Sequence, residues 1–147
     1  MLEVRDGTYA DVRRILSGLN ERDQYFLSPT GRYVSSSNCE LRLIVTEDNV
    51  PVAFLEGTVY SDTPRTMVIS YAVLRSHRRE GLAWHLIYKA MDRALLMGMN
   101  TLFARVDHDN TPSKKLLQNI GFHELCHNKE QVSYVYELSS YTVRSDG

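Results

Sequence analysis

The spacing of apolar residues changes several times along this chain, and each change marks an element. Leu2–Arg5 reads as a short first strand. Thr8-Tyr9-Ala10-Asp11 has capping-box spacing, with Asp where Glu or Gln is usual. Val12, Ile15, Leu16 and Leu19 follow at helical spacing and predict a helix over 9–19. Glu21–Leu27 reads as a short helix, Ser28-Pro29-Thr30-Gly31 as a break, and Ser35-Ser36-Ser37-Asn38 as a polar loop. Leu41, Leu43 and Val45 then alternate with Arg42, Ile44 and Thr46. Glu47-Asp48-Asn49 is turn chemistry, and Val50–Tyr60 is apolar and β-branched. After a second turn over Ser61–Arg65, Thr66–Leu74 is apolar enough to predict a strand buried on both faces. Three strands joined by short turns predict an antiparallel meander.

From Gly81 the period lengthens. Leu82, Leu86, Ala90 and Ala94 form one helical row, Ala83, Ile87, Met91 and Leu95 lie beside it, and Gly98 is a stop signal. Thr101–Val106 predicts a strand. Thr111-Pro112 starts a helix that runs to Ile120 before Gly121. Phe122–His127 and Gln131–Leu138 predict a closing hairpin. The order β-α-α-β-β-β-α-β-α-β-β implies an α+β fold: one domain over residues 1–147, with a mixed, mostly antiparallel sheet of six to seven strands and helices on both faces.

Composition narrows the partners. Of 147 residues, 17 are Lys or Arg and 18 are Asp or Glu, a formal net charge of −1. That balance excludes a nucleic-acid or anionic-membrane partner held by bulk charge, and leaves room for a local basic site. No apolar run approaches the roughly 18–20 residues of a membrane helix. The acidic N-terminal residues do not fit a signal peptide. Cys39 and Cys126 form neither a disulfide framework nor a metal-ligand spacing. A cytoplasmic protein with reduced thiols and no metal is expected, with a homodimer among its admissible assemblies.

The stretch Val73-Leu74-Arg75-Ser76-His77-Arg78-Arg79-Glu80-Gly81-Leu82-Ala83 carries the most chemistry. A strand ends, a basic loop follows, and a helix opens on small residues. Unpaired N–H groups and the positive end of the helix dipole meet there, with Gly81 and Ala83 keeping side chains away. That describes a pyrophosphate site. Taken alone, the same segment is equally a solvated, Arg-rich turn.

A second segment, Asn110-Thr111-Pro112-Ser113-Lys114-Lys115-Leu116-Leu117-Gln118-Asn119-Ile120-Gly121-Phe122, lies between two predicted strands. Together the two segments resemble the GNAT superfamily of acyl-CoA-dependent N-acyltransferases. Arg78-x-x-Gly81-x-Ala83 matches that family's phosphate-loop motif. Asn110, Ser113, Leu116 and Gly121-Phe122 match its second motif.

The resemblance implies a split between the fourth and fifth strands, Thr66–Leu74 and Thr101–Val106, that binds acetyl-CoA as acyl donor. The pantetheine arm would follow Ala72, Val73 and Leu74, with a backbone N–H near Val73 polarising the thioester carbonyl. The pyrophosphate would sit beside Arg78 on the segment Arg79, Glu80, Gly81, Leu82, Ala83 and Trp84, with Asn110 and Ser113 nearby. Trp84 is also a natural packing residue. The resemblance further implies direct attack by a primary amine, of a small molecule or of a peptide or protein, without an acyl-enzyme.

The family often has a Tyr that protonates the leaving thiolate; here Leu117 stands in its place. Tyr71 and Ser113 are the substitutes considered. For the base, Glu56 lies inside an apolar strand, where desolvation would favour basicity, and His108 follows the fifth strand. A water chain with no single base is the third option. The acceptor would meet residues 20–38, where Glu21, Asp23, Tyr25 and Tyr33 are able to hold a cation. The alternative function is a CoA-binding sensor without turnover, which the missing Tyr permits.

Overall fold

Capping and turn chemistry set the boundaries of the first elements in the computed structural model, which describes residues 1–28, 33, 35 and 39–141. The polar break expected over 28–31 and the polar loop expected over 35–38 therefore lie mostly outside the described residues. Strand β1 (Leu2–Asp6) precedes helix α1 (Tyr9–Ser17). The capping box closes in both directions: the Asp11 N–H donates to Thr8 Oγ1 at 3.2 Å, and the Thr8 N–H donates to Asp11 Oδ2 at 2.9 Å. Arg5 also grips that carboxylate and holds its pKa down to about 2. Helix α2 (Glu21–Leu27) is capped by Asn20, whose side chain accepts from the Asp23 N–H at 2.8 Å.

Strands β2 (Leu41–Glu47), β3 (Val50–Val59) and β4 (Thr66–Val73) form the expected meander. Helix α3 (Leu82–Leu96) then buries the whole Leu82, Leu86, Ala90, Ala94 row. Strand β5 (Thr101–Asp107), helix α4 (Thr111–Ile120), β6 (His123–His127) and β7 (Gln131–Glu137) complete the chain. All seven strands join one sheet in the order β1-β2-β3-β4-β5-β7-β6. The closing hairpin thus turns back so that β7, not β6, pairs with β5. This is the α+β architecture expected from the order of elements.

Alternation across the sheet separates two apolar layers. One faces α3 and α4 and contains Leu55, Met67, Ile87, Leu102 and Leu117; the other faces α1 and contains Val12, Ile15, Ile44 and Phe54. At Gly57 the strand passes so close to Met67 that a Cβ would stand 2.4 Å from its sulfur.

The β4–β5 pair is the parallel one, and it stops early. Thr66–Thr101, Met67–Leu102 and Val68–Phe103 are in register; beyond them the strands diverge. Here the structure corrects an expectation. β4 is not buried on both faces: Met67 and Ile69 enter the core, whereas Ser70 to Val73 are only half-buried. The apolar character of those residues serves an open wall between two strands, not a covered sheet.

Candidate active site

Where β4 and β5 part, a cavity of about 750 Å³ opens, within the size range of small-molecule sites. Ile69–Val73 form one wall and Ala104–Val106 the other. Helix α2 packs against both strands and roofs the split on the α1 side, contributing Arg22, Asp23, Phe26 and Leu27 to the lining.

The backbone of β4 turns toward this space in alternation. The Leu74 N–H donates to the Val52 carbonyl at 2.9 Å, so the N–H and C=O of Val73 point away from β3, toward the split. The Val73 carbonyl accepts from Arg78 Nε at 3.1 Å. Ala72 and Val73 line the cavity, whereas Leu74 packs into both apolar layers instead.

At one end of the cavity lies the N-terminus of α3. Arg79 and Gly81 hold left-handed backbone conformations, with φ of 66° and 76°. Two such residues bend the loop sharply into the helix. Gly81 is the N-cap and has no side chain to satisfy the first turn, whose first intrahelical bond runs from the His85 N–H to the Gly81 carbonyl. The amides of Leu82 and Ala83 lie in the first turn, ahead of that bond, where a helix leaves its N–H groups without i→i−4 acceptors. A Cβ at Gly81 would meet nothing within 4 Å, so it opens directly onto space a ligand can occupy. Arg78, Arg79, Gly81, Leu82 and Ala83 all line the cavity. Glu80 is exposed outside the wall, and Trp84 stacks on Tyr88 with 4.4 Å between ring centroids.

Two of the loop arginines already have a partner. Asp23, buried at 7% exposure, forms ion pairs through its Oδ2 with Arg78 Nη2 at 2.8 Å and Arg75 Nε at 3.4 Å. Asp23 was a sequence candidate for holding a cationic acceptor, and it does lie in the cavity. Its charge is directed at Arg75 and Arg78 of the loop before α3.

Across the split the Tyr71 hydroxyl of β4 meets the Ser113 hydroxyl of α4 in a short hydrogen bond. Burial pushes the Tyr71 phenol up to about 12, so it stays protonated at neutral pH and is able to donate. Asn110 caps α4 by accepting from the Ser113 N–H at 3.4 Å, and both residues line the cavity. Leu117 is fully buried in the main core; Leu116 is the residue that faces the split. A Tyr at 117 would therefore have to be accommodated from within the core.

Glu56 and His108 lie outside the cavity lining. Glu56 is 2% exposed, its side chain on the α1 face of β3. Its carboxylate accepts from Tyr33 Oη at 2.6 Å, Ser35 Oγ at 2.5 Å and Arg42 Nε at 2.8 Å, with Cys39 Sγ at 3.7 Å. Burial and the adjacent carboxylate drive the Tyr33 phenol well above its ordinary range, and burial raises the Cys39 thiol. Glu56 thus anchors described parts of the 33–42 segment to the sheet. His108 is tied to the closing hairpin, with Nε2 2.7 Å from the Asn128 carbonyl.

The acetyltransferase (GNAT) family model matches residues 10–122, and the chain belongs to that family. Its fold is shared with solved structures at low sequence identity. The GNAT domain of S. lividans PAT superposes with a TM-score of 0.78 at 15% identity, over 92% of this chain and 90% of that one. An N-acetyltransferase from Staphylococcus aureus Mu50 gives 0.75 at 19% identity, over 94% and 99%. Salmonella typhimurium yncA, determined with its cofactor acetyl-CoA, gives 0.73 at 14% identity, over 98% of each chain. No curated protein matches the sequence. Among the described residues, no helix is long and apolar enough to cross a membrane.

Several cavity residues had no sequence signal. Arg22, Phe26 and Leu27 belong to a seven-residue helix too short for a clear period, and Arg105 reads as the polar half of an alternating strand. Their role follows from α2 lying over the split, which no local pattern encodes.

Proposed function

We propose that the protein transfers an acetyl group from acetyl-CoA to a primary amine by direct attack in a ternary complex. The observation that carries this reading is the parallel strand pair that opens after three registered residues onto an uncapped helix N-terminus. An extended thioester with an anionic tail fits that cradle: strand backbone along its length, helix amides and arginines at its end.

Acetyl-CoA supplies an activated acyl group as a thioester. The amides at the start of α3, with Arg79, Arg78 and Arg75, would hold the pyrophosphate; the half-buried Tyr71–Val73 stretch would hold the pantetheine arm. The Val73 N–H, turned toward the split, would stabilise the oxyanion. As the N–C bond forms and the C–S bond breaks, the amine loses a proton and the thiolate gains one. Tyr71, kept protonated by burial and paired with Ser113, is the donor we assign to the thiolate. The amine proton would leave through water, because neither Glu56 nor His108 is among the residues that line the cavity.

Free thiol released from acetyl-CoA in the presence of a primary-amine panel tests the reaction; acetyl-CoA binding without thiol release would identify a sensor instead. Tyr71→Phe should lower kcat by about 10- to 100-fold while leaving acetyl-CoA affinity close to the parent's. A Tyr71→Phe variant with full kcat would remove Tyr71 from this role.

A further inference from the structure

The two ends of the cavity treat their arginines differently. The lining carries Arg22, Arg75, Arg78, Arg79 and Arg105 against Asp23 and Asp109, on a chain whose net charge is −1. Arg75 and Arg78 pair with Asp23, and Arg79 sits in the phosphate loop. Arg42, outside the lining, pairs with Glu56. Among the described residues, Arg22 and Arg105 have no carboxylate partner.

These two flank the space under α2. On β5, Leu102, Ala104 and Val106 fill the main core, so alternation sends Phe103 and Arg105 to the opposite face, where α2 lies. Each guanidinium lies over an aromatic ring of its own element: Arg22 over Phe26 and Arg105 over Phe103, both with 5.3 Å from guanidinium carbon to ring centroid. A cation–π contact of this kind leaves the N–H fork of a guanidinium available for bidentate hydrogen bonds. Two arginines without a carboxylate partner beside one concave site form an anion receptor.

We propose that the acceptor amine carries an anionic group, a carboxylate or an oxyacid of similar size, and that Arg22 and Arg105 bind it. This rests on the acetyltransferase reading and adds the substrate class to it. Both side chains are solvent-exposed where they meet the cavity, so selectivity would arise from the paired charge-assisted hydrogen bonds that an anionic acceptor makes and a neutral analogue does not.

The test uses the full chain and matched acceptors: α-, β- and γ-amino acids, each beside its primary amide. Thiol release should favour at least one acid over its amide by about tenfold or more in kcat/KM, the discrimination expected for a charged hydrogen bond. Arg105→Gln and Arg22→Gln should each shrink that ratio by about tenfold, through the acceptor KM, with acetyl-CoA affinity intact. Equal turnover of every acid and its amide would overturn the proposal. So would variants that lose acetyl-CoA affinity instead, since the arginines would then serve the donor.

The corresponding N-acetyl amino acids and their amides, titrated calorimetrically in the presence of CoA, give a readout independent of turnover. Acid-selective binding abolished by Arg105→Gln, without any thiol release, would uphold the anion site and reject the transferase reading. Binding that ignores the acid would reject the anion site whatever the activity.

Discussion

The basic loop before α3 and the segment around Glu56 both gather charge, and they do it in opposite ways. At residues 75–83 the recognition elements are backbone amides and half-exposed arginines facing open space. Around Glu56, a 2%-exposed carboxylate is enclosed by Tyr33, Ser35 and Arg42, and all of its charge is spent internally. A charge kept available for a ligand needs a cavity and a weak or exchangeable partner. A charge whose partners are all within the fold becomes part of the framework. Apolar neighbours in sequence made Glu56 resemble a base with raised basicity, yet Arg42 on the adjacent strand, directly opposite in register, supplies its counter-charge.

Glu56→Gln tests that contrast most severely. It removes the carboxylate that pairs with the largely buried Arg42 and accepts from Tyr33 and Ser35, and should cost about 3–5 kcal/mol of stability, read from denaturant midpoints. Folded protein should still bind acetyl-CoA. A stable Glu56→Gln enzyme that loses turnover selectively at low pH would restore Glu56 as the base.

Gly81→Glu attacks the other region. With open space around the Cβ position, the chain should fold, losing only about 1 kcal/mol for a side chain at positive φ. The carboxylate would occupy and repel the pyrophosphate, weakening acetyl-CoA by on the order of 100-fold in calorimetry, about 2.7 kcal/mol. Undiminished affinity would mean the helix N-terminus is not the anion site.

Leu117→Tyr separates motif position from actual placement. Because Leu117 lies in the core and Leu116 in the split, the added phenol should destabilise by about 1–3 kcal/mol through overpacking, seen as a lower Tm, without raising kcat. A faster variant would show that the helix can rotate the hydroxyl into the split.

The smallest effect is expected at Asp23→Asn. Removing the carboxylate that engages Arg75 and Arg78 frees both for phosphate, tightening acetyl-CoA by roughly three- to tenfold at low salt and less at high salt. Weaker binding would show that Asp23 positions the arginines rather than competing for them. Raising pH probes Tyr71 in turn. Its folded pKa, about 12, lies above the unfolded value near 10, so its contribution to stability is full below pH 10 and fades from there toward pH 12. Tyr71→Phe should flatten that part of the stability profile.

The order of elements, the glycine at the start of α3 and the α4 cap were legible in the sequence because each is local. A capping box closes within four residues, an apolar row repeats every turn, and Gly81 at the N-cap requires only its own φ. The same locality exposed Arg78, Ala83, Asn110 and Ser113 as one family's pattern. What distance along the chain concealed, only the tertiary structure decided. The pairing of β7 with β5, the roof made by α2, the meeting of Tyr71 with Ser113 and the capture of Glu56 by Arg42 all join residues far apart in sequence. A side chain's type sets what it is able to bind, but its burial and counter-charge come from elements brought beside it by folding.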